Sequence, residues 1–565
     1  MPPLAAAGSA GPHRRHWLAT WAIGVALLTL VAVVPASRAR GQTPLTNTDE
    51  TTPIPRGWFR LGIANAWSRF ESRFDSSGGV VPLGAELSTD SLGARQLPRL
   101  APVEGALQTL AANPLQRLTF GRLDVRSDAR IVTTPFVLEY GVTRRLSIGV
   151  MVPMVQTRRT AQVRVNARAE GEASTSNMGF LPAAQREAAA QANAQVVAAL
   201  SDAATALSGL LAQCAQNPAA PECDPVRGRE ADASAAAARA EQFAQAVATA
   251  YGTTTETALV APLDGSDLAL AVEAQRAALA AQLATYAPGT TIGALTTTAR
   301  ELSYIDLQGR NRVPGLLQSE LGGGLDSIHT SDRLSVGDVE LRARFLLLDH
   351  APRDSTARRG LLYRLAIAGT YRFNTSWPDT ARDLLDIATG TGAGAEGRAA
   401  LEVQYGHLGA AVATHYAKSF ARTVEVPLVG FPIGGFPYPS FGVVSMASGD
   451  VFGFELAPRV FLGHWLSFEG NYGLERTGAP TVTNVPEDPC SDCVALAGSI
   501  LPAATTLQRV GLGVRYSTVD AYLRGQAKYP IELSFRHFET ISGDAGVPKL
   551  FRDQIQLRIY YRLFR

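Results

Sequence analysis

Lysine is nearly absent from this 565-residue chain: of 52 basic residues only Lys418, Lys528 and Lys549 are lysines, and 50 carboxylates bring the formal charge to +2. A balance this close to neutral excludes a nucleic-acid partner, because affinity for phosphate needs a concentrated basic surplus. Cysteine is as scarce, with four residues in two close pairs, too few for a scaffold built on disulfides. Long apolar runs are missing after residue 41, so no stretch reaches the roughly 18 apolar residues of a transmembrane helix. Histidine is sparse as well. His415 with Ser419 and Ser534 with His537 are the nearest approach to a nucleophile and base, and neither neighbourhood supplies a recognisable third group. No catalytic residue, cofactor or metal is expected. Gly392-Ala-Gly394-Ala-Glu-Gly397 matches a dinucleotide loop by letter, but it precedes a strand instead of opening a helix after one.

What is present begins with an export signal. Arg14, Arg15 and His16 precede an apolar run from Trp17 to Val34, then Pro35 and small residues around Ala39 and Gly41. Residues 1–41 read as a secretory signal peptide and 42–57 as a linker. The compartment is then oxidising, so Cys214 with Cys223 and Cys490 with Cys493 are expected as two local disulfides. A zinc ribbon would need a second matching pair at its own spacing.

The C-terminus shows which exported fold this is. From Gln554 to Leu563, Ile555, Leu557, Ile559 and Tyr561 share one face, while Gln554, Gln556, Arg558 and Tyr560 share the other. A period of two with arginine opposite aliphatics suits a strand between lipid and water. The pattern recurs at 338–347, 363–373, 398–405, 466–475 and 509–516, and more weakly at 58–70, 118–141, 144–165, 408–421, 450–462 and 530–539. The fold class expected is all-β, an antiparallel transmembrane barrel of about twelve strands, an even number as such barrels favour. Connections at 141–145, 406–407 and 463–464 are tight and suit the inner rim. Those at 71–117, 374–396, 422–449 and 478–505 are long and suit the outer one.

One segment departs from this period. From Pro182 to Tyr286 the chain is alanine-rich with helical stripes (Val196, Leu200, Leu207; Phe243, Val247, Tyr251; Val272, Leu279, Leu283), broken near 217–225 and 252–265. Three helices are expected, inserted in the third-to-fourth connection on the outer side. The divisions are strands 1–3 at 58–168, the helical insert with its flanking loop at 169–332, and strands 4–12 at 333–565.

The inward faces carry Glu340, Arg342, Arg344, Arg364, Arg372, Arg398, Glu402, Glu469, Arg509, Arg515, Arg536 and Arg558. Charges this costly against lipid either line a wet path or form a ladder that stiffens the wall. In the apolar stretch 426–441, Phe431, Phe436, Tyr438 and Phe441 are candidates for an inward constriction, or for packing beneath the insert.

The segments Pro135–Pro153, Ser335–Leu347 and Arg558–Phe564 resemble the outer-membrane transporter family labelled for the meta-cleavage pathway of phenol degradation. The resemblance implies a barrel passing hydrophobic or aromatic compounds. The expectation is an outer-membrane channel or facilitator for small solutes, with outer-membrane lipid and the barrel assembly machinery as partners. A barrel displaying its insert for adhesion is the alternative.

Overall fold

A computed structural model describes residues 51, 54–168, 172–310, 313–350, 360–376, 382–383, 390–427, 441–463, 465–483, 504–523 and 525–562. Residues 1–41, expected as a signal peptide, and Phe431, Phe436, Tyr438, Cys490 and Cys493 lie outside the described residues.

Alternating polarity becomes a closed antiparallel barrel of twelve strands. They are β1 (Trp58–Phe70), β2 (Leu123–Gly141), β3 (Leu146–Val165), β4 in two segments (Ser331–Val336 and Glu340–His350), β5 (Leu361–Arg372) and β6 (Gly394–Tyr405). The second half is β7 (Leu408–Ser419), β8 (Val451–Leu462), β9 (Leu466–Thr477), β10 (Thr505–Ser517), β11 (Ile531–Gly543) and β12 (Phe551–Arg562). Each strand pairs with its sequence neighbours, and β1 closes the ring by pairing with β12 as well as β2.

The polarity is inverted relative to a soluble sheet. Along β12, Ile555, Ile559 and Tyr561 are exposed on the outer surface while Gln554, Gln556 and Tyr560 are buried within. Along β1, Leu61, Ile63 and Trp67 face out and Arg60, Ala64, Ala66 and Ser68 face in. An exposed aliphatic belt around a polar interior has lipid as its favourable solvent.

β1 begins and β12 ends at the same rim (the rim of the chain ends), where β2–β3, β6–β7 and β8–β9 join by short turns. Gly406 (φ 60°) and Gly463 (φ 74°) supply the left-handed conformation two of those turns require. Strand β4 begins at Ser331, inside the stretch expected to belong to the insert, and breaks at Gly337-Asp338-Val339. The Asp338 carboxylate is wholly buried and accepts the backbone N–H groups of Thr375, Ser376 and Gly392, tying the connection after β5 to the wall at that break.

At the opposite rim sits a helical cap: α1 (Ala101–Leu110), α2 (Ala183–Gln216), α3 (Glu230–Tyr251) and α4 (Asp267–Tyr286). Alanines 233, 236 and 240 are fully buried on α3, so neighbouring helices approach closely. By length and composition α2 could cross a membrane, although Gln195, Ser201, Asp202 and Ser208 interrupt its apolar residues. In the fold its Val196, Leu200 and Leu207 are instead buried in the cap core. The cap is larger than the helical stretch 182–286: Leu92, Leu100, Leu107 and Phe120 from the β1–β2 connection, and Leu316, Leu317 and Leu325 ahead of β4, share that core. A disulfide joins Cys214 at the end of α2 to Cys223 in the turn before α3.

Candidate functional site

The chemistry of this chain is concentrated inside the barrel. Twelve strands enclose more space than eight, whose interiors ordinary side chains just fill. Here long arginines and glutamates occupy it. Glu340, Arg344, Arg364, Arg398, Glu402, Glu469 and Arg536 are buried in the interior, and Arg342, Arg372, Arg509, Arg515 and Arg558 lie on the same inner face with 11–17% of their side chains exposed.

Small residues on alternate strands let these side chains reach past a neighbour. The first inward residues of β7 are Gly409, Ala411 and Ala413, and across them Arg459 of β8 meets Glu402 of β6 at 3.1 Å. Arg459 also meets Glu469 of β9 at 3.0 Å. From Glu469 the chain continues past β10 to Arg536 of β11. A Cβ on Gly513 of β10 would lie 2.9 Å from Glu469 Cγ and 3.0 Å from Arg536 Cγ, so only glycine leaves that passage open. Gly473 plays the same part on β9, where Arg509 of β10 reaches Glu455 of β8. Side chains of Arg459, Glu469 and Arg536 are at most 1% exposed, which makes this a dry belt from β8 to β11.

Two further networks flank it. Towards the cap, Arg342 binds Glu340 at 2.7 Å, Arg372 lies between Glu340 (3.6 Å) and Glu396 (3.8 Å), and Arg398 binds Glu396 at 2.6 Å. Towards the rim of the chain ends, Arg60 pairs with Glu139, Arg364 with Asp349 at 3.1 Å, and Glu532 receives Arg515, Arg558 and the Tyr560 hydroxyl. At this rim Thr51 is buried and donates to Glu402 at 2.5 Å, and Ile54 packs with Trp58, Val519 and Tyr560, so the segment ahead of β1 is seated at the barrel mouth.

Several of these residues, namely Arg60, Glu139, Glu396, Glu455 and Arg459, were not singled out by sequence. The strands of Arg60, Glu139, Glu455 and Arg459 read weakly, because small interior residues such as Ala64 and Ala457 blur the polar-apolar alternation, and Glu396 stands two residues ahead of the stretch 398–405; the available signal was lone charges at the parity of those alanines.

The other candidates are placed as follows. Phe441 packs against the cap core with the Arg382 guanidinium 4.9 Å above its ring, the arrangement that belongs to packing beneath the insert. His415 is buried in the interior beside Gly453, whereas His537 is on the outer surface with Asp553 at 2.8 Å. Ser534 and His537 fall on opposite faces of β11 and are not brought together.

No family model matches the chain. No curated protein matches it either. Among solved structures it is similar to an outer-membrane channel from Pseudomonas putida F1 (9% identity, 92% of this chain and 100% of that one, TM-score 0.38). It is also similar to a Pseudomonas aeruginosa FadL homologue (9%, 93% and 100%, TM-score 0.28) and to the Pseudomonas putida toluene transporter TodX (11%, 94% and 96%, TM-score 0.21). The family that its motifs resemble is not shown for it.

Proposed function

We propose that this chain spans a Gram-negative outer membrane and acts as a channel for small solutes, with its interior arginines favouring anions. The observation that carries the reading is the inverted barrel: an exposed aliphatic belt outside, and inside it charges of both signs with arginine in excess among the partly exposed groups. A protein that only displayed a cap could fill its barrel with apolar side chains at less desolvation cost. Arg342, Arg372, Arg509, Arg515 and Arg558 mark the solvated edge that a solute would follow, and the dry belt from Arg459 to Arg536 sets the constriction.

Liposome swelling tests this. Vesicles holding the purified protein are offered small carboxylates, amines and sugars, with phenol and benzoate added because the family resemblance implies aromatic compounds. Faster uptake of carboxylates than of amines of equal size supports the reading. No uptake of any solute, with residues 182–286 present or deleted, overturns it.

A further inference from the structure

Outside the barrel, charge is arranged as deliberately as inside it. On β1, β2 and β3 the outward rows are fixed by register. Phe59, Tyr140 and Ile148 lie side by side at the rim of the chain ends, followed by Leu61, Leu138 and Val150, then Ile63, Phe136 and Val152. Ten residues beyond the first row, Arg69, Arg130 and Arg158 lie side by side in the same register. At about 3.4 Å per residue and roughly 40° of tilt, ten residues raise that row about 26 Å, close to the ~25 Å height of an apolar band. Trp67, outward on β1 directly below Arg69, is the kind of ring that settles at such a boundary.

Three arginines on adjacent strands repel one another, since like charges directly opposite are destabilising. Little in the protein offsets this. Arg69 pairs with Glu71, and Asp332, the register partner of Arg158, accepts instead from Gln156 Nε2 at 2.9 Å. Asp128 lies outward two residues beyond Arg130. The side chains of Arg130 and Arg158 are exposed and make no hydrogen bond or ion pair among the described residues. The guanidinium fork matches phosphate oxygens, and neighbouring strands about 4.8 Å apart put two forks within reach of one headgroup.

We propose that the outward row Arg69–Arg130–Arg158 is a binding site for the phosphate of a phosphorylated glycolipid headgroup in the outer leaflet. The inference rests on the membrane-spanning reading above. It takes its occupant from position: the row stands at the edge of the lipid-facing band, at the rim away from both chain ends, where a lipid headgroup is the nearest dense source of phosphate.

The test uses the full mature chain in detergent, with lipid A as the probe and native mass spectrometry counting retained lipid. Arg130→Gln with Arg158→Gln changes only exposed side chains; barrel folding is checked by heat-modifiable gel migration. An arginine near an anionic surface is worth about a five-fold effect, so the double variant should retain lipid A roughly thirty-fold more weakly. Arg239→Gln, on α3 of the cap, should leave retention unchanged, and lipid A stripped of phosphate should not be held by the parent. Equal retention by the parent and the double variant overturns the proposal. Displacement of lipid A by millimolar inorganic phosphate also overturns it, since the site then takes free anions. Lipid retention is read in detergent without any transport step, so this proposal and the channel reading can fail separately.

Discussion

Removing the Glu469 carboxylate tests whether the interior belt is dry. Glu469 joins Arg459 at 3.0 Å and Arg536, and all three side chains are at most 1% exposed. In Glu469→Gln, Arg459 keeps Glu402 at 3.1 Å, while Arg536 loses the charge of Glu469 and keeps its other contacts, the Ser534 hydroxyl at 3.4 Å among them. Breaking a buried pair by removing one partner costs about 3–5 kcal/mol, against ~0–1 kcal/mol for a pair in water. Arg536→Met should cost less, about 1.5–3 kcal/mol for one charge-assisted bond, because Glu469 keeps Arg459. The double variant should fall short of the sum by about 1–3 kcal/mol, as contacting residues do. Urea unfolding from phospholipid vesicles, followed by tryptophan fluorescence, gives these differences by linear extrapolation. A Glu469→Gln protein within about 1 kcal/mol of the parent, with additive variants, would refute the dry belt and mean that water screens these charges.

Other outcomes follow from the same geometry. Gly513→Val places a side chain where Glu469 and Arg536 pass, and should destabilise the barrel by about 1–3 kcal/mol in the same assay. Arg372→Glu and Arg398→Glu should each move the reversal potential in a salt gradient toward cation selectivity; unchanged selectivity would leave these residues a purely structural ladder. Cys214→Ser with Cys223→Ser opens a bridge of sequence separation 9 and should cost the cap about 2–3 kcal/mol, seen as faster proteolysis of 182–286 with the barrel intact. Protease added to whole cells should reach that same segment; its protection would place the cap on the other side of the membrane.

The twelve strands were legible because lipid and a polar interior impose opposite demands on alternate residues, and β4, β5, β9, β10 and β12 carry both in full. The path of the ion pairs was not. Glu402 to Arg459 and Glu469 to Arg536 each skip a strand, which depends on register and on Ala411 and Gly513 standing between them, and neither is written in any one segment. The reach of the cap was hidden for a similar reason. Leu100 and Leu107 sit in a connection with no period longer than one short helix, and only the long-range packing with α3 and α4 gives them a core.

The most direct measurement is the reversal potential of the purified full chain in a planar bilayer under a potassium chloride gradient. An anion-selective current, moved toward cations by Arg398→Glu, is the predicted result. Absence of any current, from the full chain and from the form lacking 182–286 alike, would contradict the channel.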